Sequence, residues 1–228
     1  MSFQYRSAYT GPLPPQPISR ADDLADEGPY RRWAKRALDI AIVLIVSVPV
    51  ALTVGLLALI VALDGSNPFY LQERVGHRGR LFRMLKLRTM VAGADRLLEA
   101  HLAQDPAARA EWDRHQKLKN DPRITRFGQF LRASSLDELP QLWNVLRGEM
   151  SLVGPRPMMT AQRVLYPGTE YYAMRPGITG FWQISIRNES CFHERADYDA
   201  RYYKAMSLGT DLNVMARTVG VVMRATGH

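Results

Sequence analysis

Two adjacent acids near the middle of the chain, Asp137 and Glu138, are the residues best suited by type and spacing to do chemistry. Ser135, followed three residues later by Glu138, resembles a capping box and predicts the start of a helix. Pro140 favours Asp137 as the N-cap instead, because proline fits the first turn of a helix. On either reading the positive end of the helix dipole is expected to keep both carboxylates ionised.

Adjacent ionised carboxylates suit two kinds of chemistry. They can bind a hard cation such as Mg²⁺, which would also reach substrate phosphates. An ionised aspartate such as Asp137 is also a competent nucleophile at phosphorus. The alternative is that Asp137 and Glu138 only cap a helix, and the residues alone favour capping for an isolated pair of this kind.

Two loops downstream supply candidate phosphate ligands. In the first, Pro155 and Pro157 fix the backbone on both sides of Arg156, and a rigid guanidinium suits bidentate phosphate binding. In the second, Gly177 and Gly180 allow the backbone to approach a ligand closely. The second loop and its continuation also contain Arg175, Trp182, Arg187 and Asn188. An ordinary surface turn is the alternative for the first loop, and a nucleotide site in the second stays a hypothesis.

These residues belong to a chain of 228 residues with a net charge of +8. A hydrophobic content of 46% excludes a disordered chain. The single cysteine, Cys191, excludes a disulfide framework and a cysteine-rich zinc site. The basic balance predicts an anionic partner, which could be nucleic acid, a phosphorylated ligand or a membrane surface.

The uncharged stretch from Ile40 to Leu63 is long enough to cross a bilayer as a helix. Pro49 predicts a bend within it, and Ser47 can hydrogen-bond a carbonyl that the proline frees. Basic residues flank both ends, and basic flanks mark the cytoplasmic side. We therefore predict a re-entrant helix that bends near Pro49 and returns, with a straight but kinked span as the alternative. The flanking residues expected to face anionic headgroups are Arg31, Arg32, Lys35, Arg36 and part of the basic run from Arg74 to Arg88.

The remaining pattern predicts a β-hairpin over 68–90, two helices over 94–120 broken at Asp105 and Pro106, and two more at about 192–207 and 211–225. The predicted fold class is α+β and mainly helical. It combines an N-terminal re-entrant membrane helix, a β-hairpin and amphipathic interfacial helices around a small cytoplasmic catalytic domain. The predicted organisation is a disordered tail over 1–30, the re-entrant helix over 31–66 and the catalytic domain over 67–228.

The run from Ser134 to Pro157 closely resembles the bacterial sugar transferases, the monotopic phosphoglycosyl transferases that act on polyprenyl phosphate. The segments Phe82 to Met90 and Arg175 to Gly180 share the resemblance, which covers roughly residues 31–225. The helical insert at 93–120 is similar to that of the hexose-1-phosphate transferases, which use UDP-galactose or UDP-glucose.

The resemblance implies transfer of a sugar 1-phosphate from a UDP-sugar to undecaprenyl phosphate with release of UMP, the first membrane step of exopolysaccharide, capsule or O-antigen assembly. It implies a two-step, Mg²⁺-dependent reaction in which Asp137 is the nucleophile that forms a covalent phosphosugar intermediate, and Glu138 is the second acid at the metal. It matches Arg132 and Arg156 to phosphate-binding arginines, and Ser47 and Pro49 to the break in the membrane helix. The candidate substrate-binding residues are Arg132, Arg156, Arg175, Arg187, Asn188, Lys86 and Arg88.

The implied location is the bacterial inner membrane, with the catalytic domain on the cytoplasmic face. The implied partners are a UDP-sugar, undecaprenyl phosphate and inner-membrane lipid rather than nucleic acid, and the sequence leaves a homodimer open. The alternative function is a membrane-anchored basic module that binds anionic lipid without catalysis.

Overall fold

The computed structural model describes residues 28–115, 118–185 and 194–223, so the predicted tail lies almost wholly outside the described residues. The helices are α1 Lys35–Val61, α2 Ala94–Gln104, α3 Pro106–His115, α4 Arg126–Ala133, α5 Gln141–Arg147, α6 Glu170–Ala173, α7 Phe181–Ile184, α8 Glu194–Ala205 and α9 Leu208–Met223. The strands are β1 Phe69–Val75, β2 Leu81–Leu87, β3 Ser151–Val153 and β4 Gly177–Thr179. The mainly helical prediction with one β-hairpin is confirmed, as are the helix pair broken at Asp105 and the two C-terminal helices.

Helix α1 is the apolar helix that the sequence predicts. It is long and apolar enough to cross a membrane, and only 11% of its most apolar stretch is buried, which excludes an ordinary core helix. The helix runs without interruption through Pro49. Ser47 Oγ donates to the Leu44 carbonyl at 2.8 Å. Pro49 has no N–H to donate to the Ile45 carbonyl. The prediction that Ser47 bonds the carbonyl freed by the proline is therefore wrong, because Ser47 bonds the Leu44 carbonyl instead.

Both ends of α1 pack against the rest of the chain, while its middle does not. Near the start, the Asp39 carboxylate accepts hydrogen bonds from Ser151 Oγ at 2.7 Å and Leu152 N at 3.1 Å, both on β3. Near the end, Leu57 and Ala58 are buried in a cluster with Leu87 of β2 and Leu131 of α4. The apolar side chains between these ends lie open, with Ile45 78%, Val48 67% and Leu52 71% exposed.

The basic residues around the start of α1 serve mainly as internal anchors, so the expectation that this cluster faces headgroups is wrong for three of its members. Arg31 donates to the Tyr203 carbonyl, and Arg36 donates to the Leu146 carbonyl at 2.9 Å, at the C-terminal end of α5. Lys35 Nζ pairs with Asp211 Oδ2 at 2.6 Å. Asp211 is buried on α9 and also accepts from the hydroxyls of Tyr30 at 2.6 Å and Tyr202 at 2.7 Å.

Replacing Asp211 with Asn is expected to destabilise the fold by about 3 kcal/mol, because it leaves the half-buried ammonium of Lys35 without its counter-charge. Thermal unfolding of the detergent-solubilised chain measures the loss. Asp113→Asn is the matched control, since Asp113 is exposed on α3. Equal melting temperatures for the two variants would show that the cluster around Asp211 does not anchor α1.

The hairpin and a second, parallel strand pair form the sheet structure around the acids. β1 pairs antiparallel with β2 from Phe69 opposite Leu87 to Val75 opposite Leu81. β3 pairs parallel with β4, with Ser151 opposite Gly177. A Cβ on Gly177 would lie 2.1 Å from the Gly154 nitrogen, and one on Gly180 would lie 2.1 Å from the Gly154 carbonyl oxygen. The glycines therefore let two backbone segments meet. Gly177 also lines a narrow cleft, so a close approach of a ligand to this backbone stays a prediction.

Candidate active site

Asp137 and Glu138 lie in a 3₁₀ turn, Leu136–Glu138, just before α5. Ser135 precedes the turn in the left-handed region, with φ 58°, and its side chain makes no capping hydrogen bond. Pro140 is the N-cap of α5, which begins at Gln141. The predicted capping box and the prediction of Asp137 as N-cap are therefore wrong, because the strained Ser135 backbone turns the chain before the helix starts.

Burial, rather than a helix dipole, dominates the chemistry of Asp137. The residue is 8% exposed. Desolvation raises its pKa to about 6, and the charge of Glu138 adds to this, while Lys86 and Arg132 oppose it. A carboxylate with this pKa is mostly ionised at neutral pH, and its poor solvation leaves it more reactive than a surface aspartate.

Three cationic or acidic neighbours surround Asp137. Lys86 Nζ of β2 lies 2.8 Å from Glu138 Oε1 and 3.9 Å from Asp137 Oδ2. Arg132 of α4 donates from Nε to Thr89 Oγ1 at 2.8 Å. Burial lowers the pKa of Arg132, and the nearby charge of Asp137 opposes that shift. The structure therefore brings the predicted residues Lys86, Arg132, Asp137 and Glu138 together.

A narrow cleft opens beside these acids. Among its lining residues are Lys86, Glu138, Gln141, Arg156, Arg74 and Gln183. Arg156 also lies over the Trp182 ring, with its guanidinium carbon 5.5 Å from the ring centroid. A larger cavity of about 490 Å³ lies between the hairpin and α5, lined by residues such as Leu71 and Trp143. We place the site in the narrow cleft, because Lys86 and Glu138, the neighbours of Asp137, line it and do not line the larger cavity.

Two predicted substrate-binding arginines are engaged elsewhere. Arg88 donates to both carboxylate oxygens of Asp64 at 2.7 Å and to the Val61 carbonyl at 3.0 Å, so it ties the end of α1 to the hairpin. Arg175 donates from Nε to the Gly148 carbonyl at 3.0 Å, at the end of α5 opposite the acids. The structure does not bring either side chain to Asp137. Arg187 and Asn188 lie outside the described residues.

The structure adds three residues to this region that the sequence did not single out as site residues. Arg74 and Gln141 line the cleft. Arg195 contacts the same Trp182 ring as Arg156, with its guanidinium carbon 4.3 Å from the ring centroid. Gln141 carries no charge that would draw notice. Arg195 could have been noticed from the sequence, because a cation in the first turn of a helix is unfavourable next to the positive end of the helix dipole and so can indicate a binding role.

Asp199 lies behind Arg195 and is buried. It accepts a hydrogen bond from the Tyr166 hydroxyl at 2.6 Å. Burial raises the pKa of Asp199 to about 7, although the Tyr166 hydrogen bond and the charge of Arg195 oppose this. Its ordinary value is about 3.9.

Asp199 therefore makes the fold less stable as pH rises from about 4 towards 7, because the folded state resists the ionised form. Asp199→Asn removes this dependence. The melting temperature of the variant minus that of the wild type is expected to become more positive by several degrees between pH 5 and pH 8. Asp197→Asn, at an exposed position of the same helix, is the control. A difference that stays constant across this range would contradict the prediction.

Comparison with known proteins defines the class of this chain. The family described as bacterial sugar transferase matches residues 30–225, and the chain belongs to that family. The match covers the apolar helix, the acids and the arginine-lined cleft together.

Individual relatives carry more specific names. The chain is 48% identical over 198 residues to a "UDP-galactose-lipid carrier transferase" of Erwinia amylovora, which covers 86% of this chain and 42% of the relative. It is 44% identical over 201 residues to an "Undecaprenyl-phosphate galactose phosphotransferase" of Salmonella typhimurium, with 86% and 42% covered. It is 43% identical over 205 residues to the "Exopolysaccharide production protein ExoY" of Rhizobium meliloti, with 87% and 89% covered. The chain thus spans less than half of the first two relatives and most of the third.

Proposed function

We propose that the chain transfers a hexose 1-phosphate from a UDP-sugar to undecaprenyl phosphate and releases UMP, as the initiating step of exopolysaccharide, capsule or O-antigen assembly. The observation that carries the proposal is the buried Asp137, which lies beside Lys86, Arg132 and Glu138 next to a cleft lined by further cations. The names of the relatives from Erwinia amylovora and Salmonella typhimurium support the substrate class.

In the first step, an Asp137 carboxylate oxygen attacks the sugar-linked phosphorus of the donor. A bond forms between that oxygen and phosphorus, and the bond to the bridging oxygen breaks, so that UMP leaves with the electron pair. In the second step, a phosphate oxygen of undecaprenyl phosphate attacks the same phosphorus and frees Asp137. Lys86 and Arg132 balance the negative charge that builds up on the phosphoryl oxygens, which is the main requirement of phosphoryl transfer.

The residues present fit a Mg²⁺ ion held jointly with the substrate. The described residues contain no group of three or more His, Cys, Asp or Glu side chains, so they do not form an all-protein cage. Asp137 and Glu138 supply two adjacent carboxylates, and Mg²⁺ is commonly bound by one or two carboxylates plus substrate phosphates. When bound there, Mg²⁺ would neutralise charge on the diphosphate. Lys86 holds the carboxylate pair together through its 2.8 Å contact with Glu138.

We further propose that α1 is re-entrant and that the catalytic residues lie on the cytoplasmic face of the inner membrane. The support is the packing of both helix ends against one body of structure, through Asp39 at one end and Leu57 at the other. An exposed apolar middle between two anchored ends suits insertion into a single leaflet. The UDP-sugar and the polyprenyl headgroup would meet at the cytoplasmic face.

The test is release of UMP by the purified full chain in the presence of undecaprenyl phosphate, Mg²⁺ and either UDP-galactose or UDP-glucose. Release that depends on both the lipid phosphate and Mg²⁺ is the expected result. No release across a panel of UDP-sugars, together with retained binding to vesicles of anionic lipid, would favour a non-catalytic membrane module instead.

A further inference from the structure

The cleft beside the acids contains two buried donors that no described residue satisfies. Gln141 is 2% exposed, and its Nε2 has no hydrogen-bond partner among the described residues. Arg74 donates to Gln72 Oε1 at 2.6 Å and to the Pro157 carbonyl at 3.4 Å, but its buried Nε has no partner in the described part of the chain. Folded proteins rarely leave buried donors unsatisfied, so two in one cleft indicate a ligand that accepts hydrogen bonds.

Three guanidiniums gather at the same place. The ring of Trp182 contacts both Arg156 and Arg195, with guanidinium carbons 5.5 Å and 4.3 Å from its centroid. Burial and the charge of Arg156 lower the pKa values of Arg74 and Arg195 to about 10. Like charges held together away from water repel each other, and a multiply charged anion would relieve that repulsion.

The acids near these guanidiniums are already matched. Glu138 pairs with Lys86 at 2.8 Å. Asp199 accepts from Tyr166 and lies close enough to Arg195 for the two charges to interact. Among the described residues, neither Arg74 nor Arg156 forms a salt bridge with an acid, so positive charge is in excess at this end of the cleft. Planar guanidinium forks and an amide N–H suit the tetrahedral oxygens of phosphate.

The hydrogen-bond donors form two groups, the amide of Gln141 and the guanidiniums around Arg156, and each group can bind one of two linked phosphates. Gln141 begins the helix that follows Glu138, so its amide belongs to the acid end of the cleft. Arg74 donates to the carbonyl of Pro157, the neighbour of Arg156, so these two arginines belong together. Arg195 joins Arg156 through their shared contact with Trp182.

We propose that Gln141, Arg74 and Arg195 bind the diphosphate of the nucleotide-sugar donor, an inference that rests on the proposed function. Gln141 Nε2 donates to the phosphate that Asp137 attacks. Arg74 and Arg195 join Arg156 on the nucleotide-side phosphate, which takes up the electron pair when the bridging bond breaks and leaves as part of UMP. Stabilising the charge on that leaving group lowers the barrier to the first step. Trp182 is a positioning residue that holds Arg156 and Arg195 around the phosphate.

The test is calorimetric titration of the full chain in detergent with uridine, UMP and UDP, each in the presence of Mg²⁺. The variants are Arg74→Met, Arg195→Met and Gln141→Glu, which keeps the shape of the side chain but replaces its donor with a charged acceptor. Each is expected to weaken UDP binding about tenfold or more, the size of effect that losing a charge-assisted hydrogen bond produces. The matched control is Arg147→Met, because Arg147 is exposed at the other end of α5 and should leave UDP binding unchanged.

Thermal unfolding of each variant shows whether it folds. If Arg74→Met does not fold, Arg195→Met and Gln141→Glu still decide the result. Folded variants that bind UDP as tightly as the wild type would overturn the inference, even if the wild type releases UMP from UDP-hexoses. A wild type that binds UDP through these residues but releases no UMP would instead refute the proposed function and leave the diphosphate site standing.

Discussion

Asp137→Asn is expected to abolish UMP release and the covalent phosphosugar intermediate. The amide that replaces the carboxylate carries no negative charge and does not attack phosphorus. Loss of a nucleophile that acts in concert with its neighbours lowers turnover by on the order of 10⁴-fold or more. The measurements are the rate of UMP release and the intact mass of the protein after incubation with a UDP-hexose alone, where the wild type should gain the mass of a hexose phosphate.

Two controls separate loss of the nucleophile from loss of the fold. Glu99→Gln changes an exposed acid on α2 and should leave both readouts unchanged. Asp137→Asn should retain UDP binding and should melt at or above the wild-type temperature, because burial penalises the charged form of Asp137 in the folded state and the neutral amide removes that penalty. A variant that releases UMP at near the wild-type rate would exclude Asp137 as the nucleophile.

The sequence located the two acids, but it did not reveal their surroundings. The residue types around Asp137 and Pro140 form a short sequence pattern, and that pattern predicts a turn before a helix independently of the tertiary structure. The raised pKa of Asp137 depends on burial and on Lys86, which is 51 positions away on β2. Its environment therefore arises only when the hairpin packs against the turn, and no local pattern contains that information.

The cleft illustrates the same limit over a longer range. Arg74, Gln141 and Arg156 line the cleft, and Arg195 shares the Trp182 ring with Arg156. These four residues come from four separate parts of the chain. The parallel pairing of β3 with β4 brings the loop of Arg156 close to α7 and its Trp182. Each arginine alone reads as a solvated surface charge, which is the usual role of arginine. Their convergence depends on tertiary packing, so the sequence predicted Arg156 as a phosphate ligand but did not predict that Arg195 lies beside it.

The basic residues around the start of α1 show why the charge pattern alone misled the prediction. A positive cluster next to an apolar helix is typical of residues that face lipid headgroups. Asp211 is 1% exposed, however, and a buried carboxylate needs a partner. Lys35 supplies it. Asp211 lies 176 positions after Lys35, so a prediction from the residues next to the apolar helix could not identify it as the partner.

Residues 29 and 70 are expected to lie on the same, cytoplasmic side of the membrane. A straight helix of 27 residues is about 40 Å long and would cross the hydrocarbon layer, which is about 30 Å thick. Its two ends would then face opposite compartments, yet both pack against the same body of structure. The measurement uses Pro29→Cys and Tyr70→Cys in a Cys191→Ser background, with an impermeant maleimide. Both positions, which are exposed, should resist labelling in spheroplasts and react in inverted vesicles.

Variants within α1 test which residue makes the helix return to the side of the membrane from which it enters. Val48→Cys should stay unlabelled in both preparations although the side chain is exposed, because lipid would cover it. Pro49→Leu restores the helical hydrogen bond to Ile45 and should expose residue 29 to the periplasm in part of the population. Ser47→Ala should change little, because Ser47 donates to the Leu44 carbonyl, which the proline does not deprive of its donor. Labelling of residue 29 from the periplasm with the unaltered helix would establish a straight span. An effect of Ser47→Ala as large as that of Pro49→Leu would refute the proposal that the proline causes the bend.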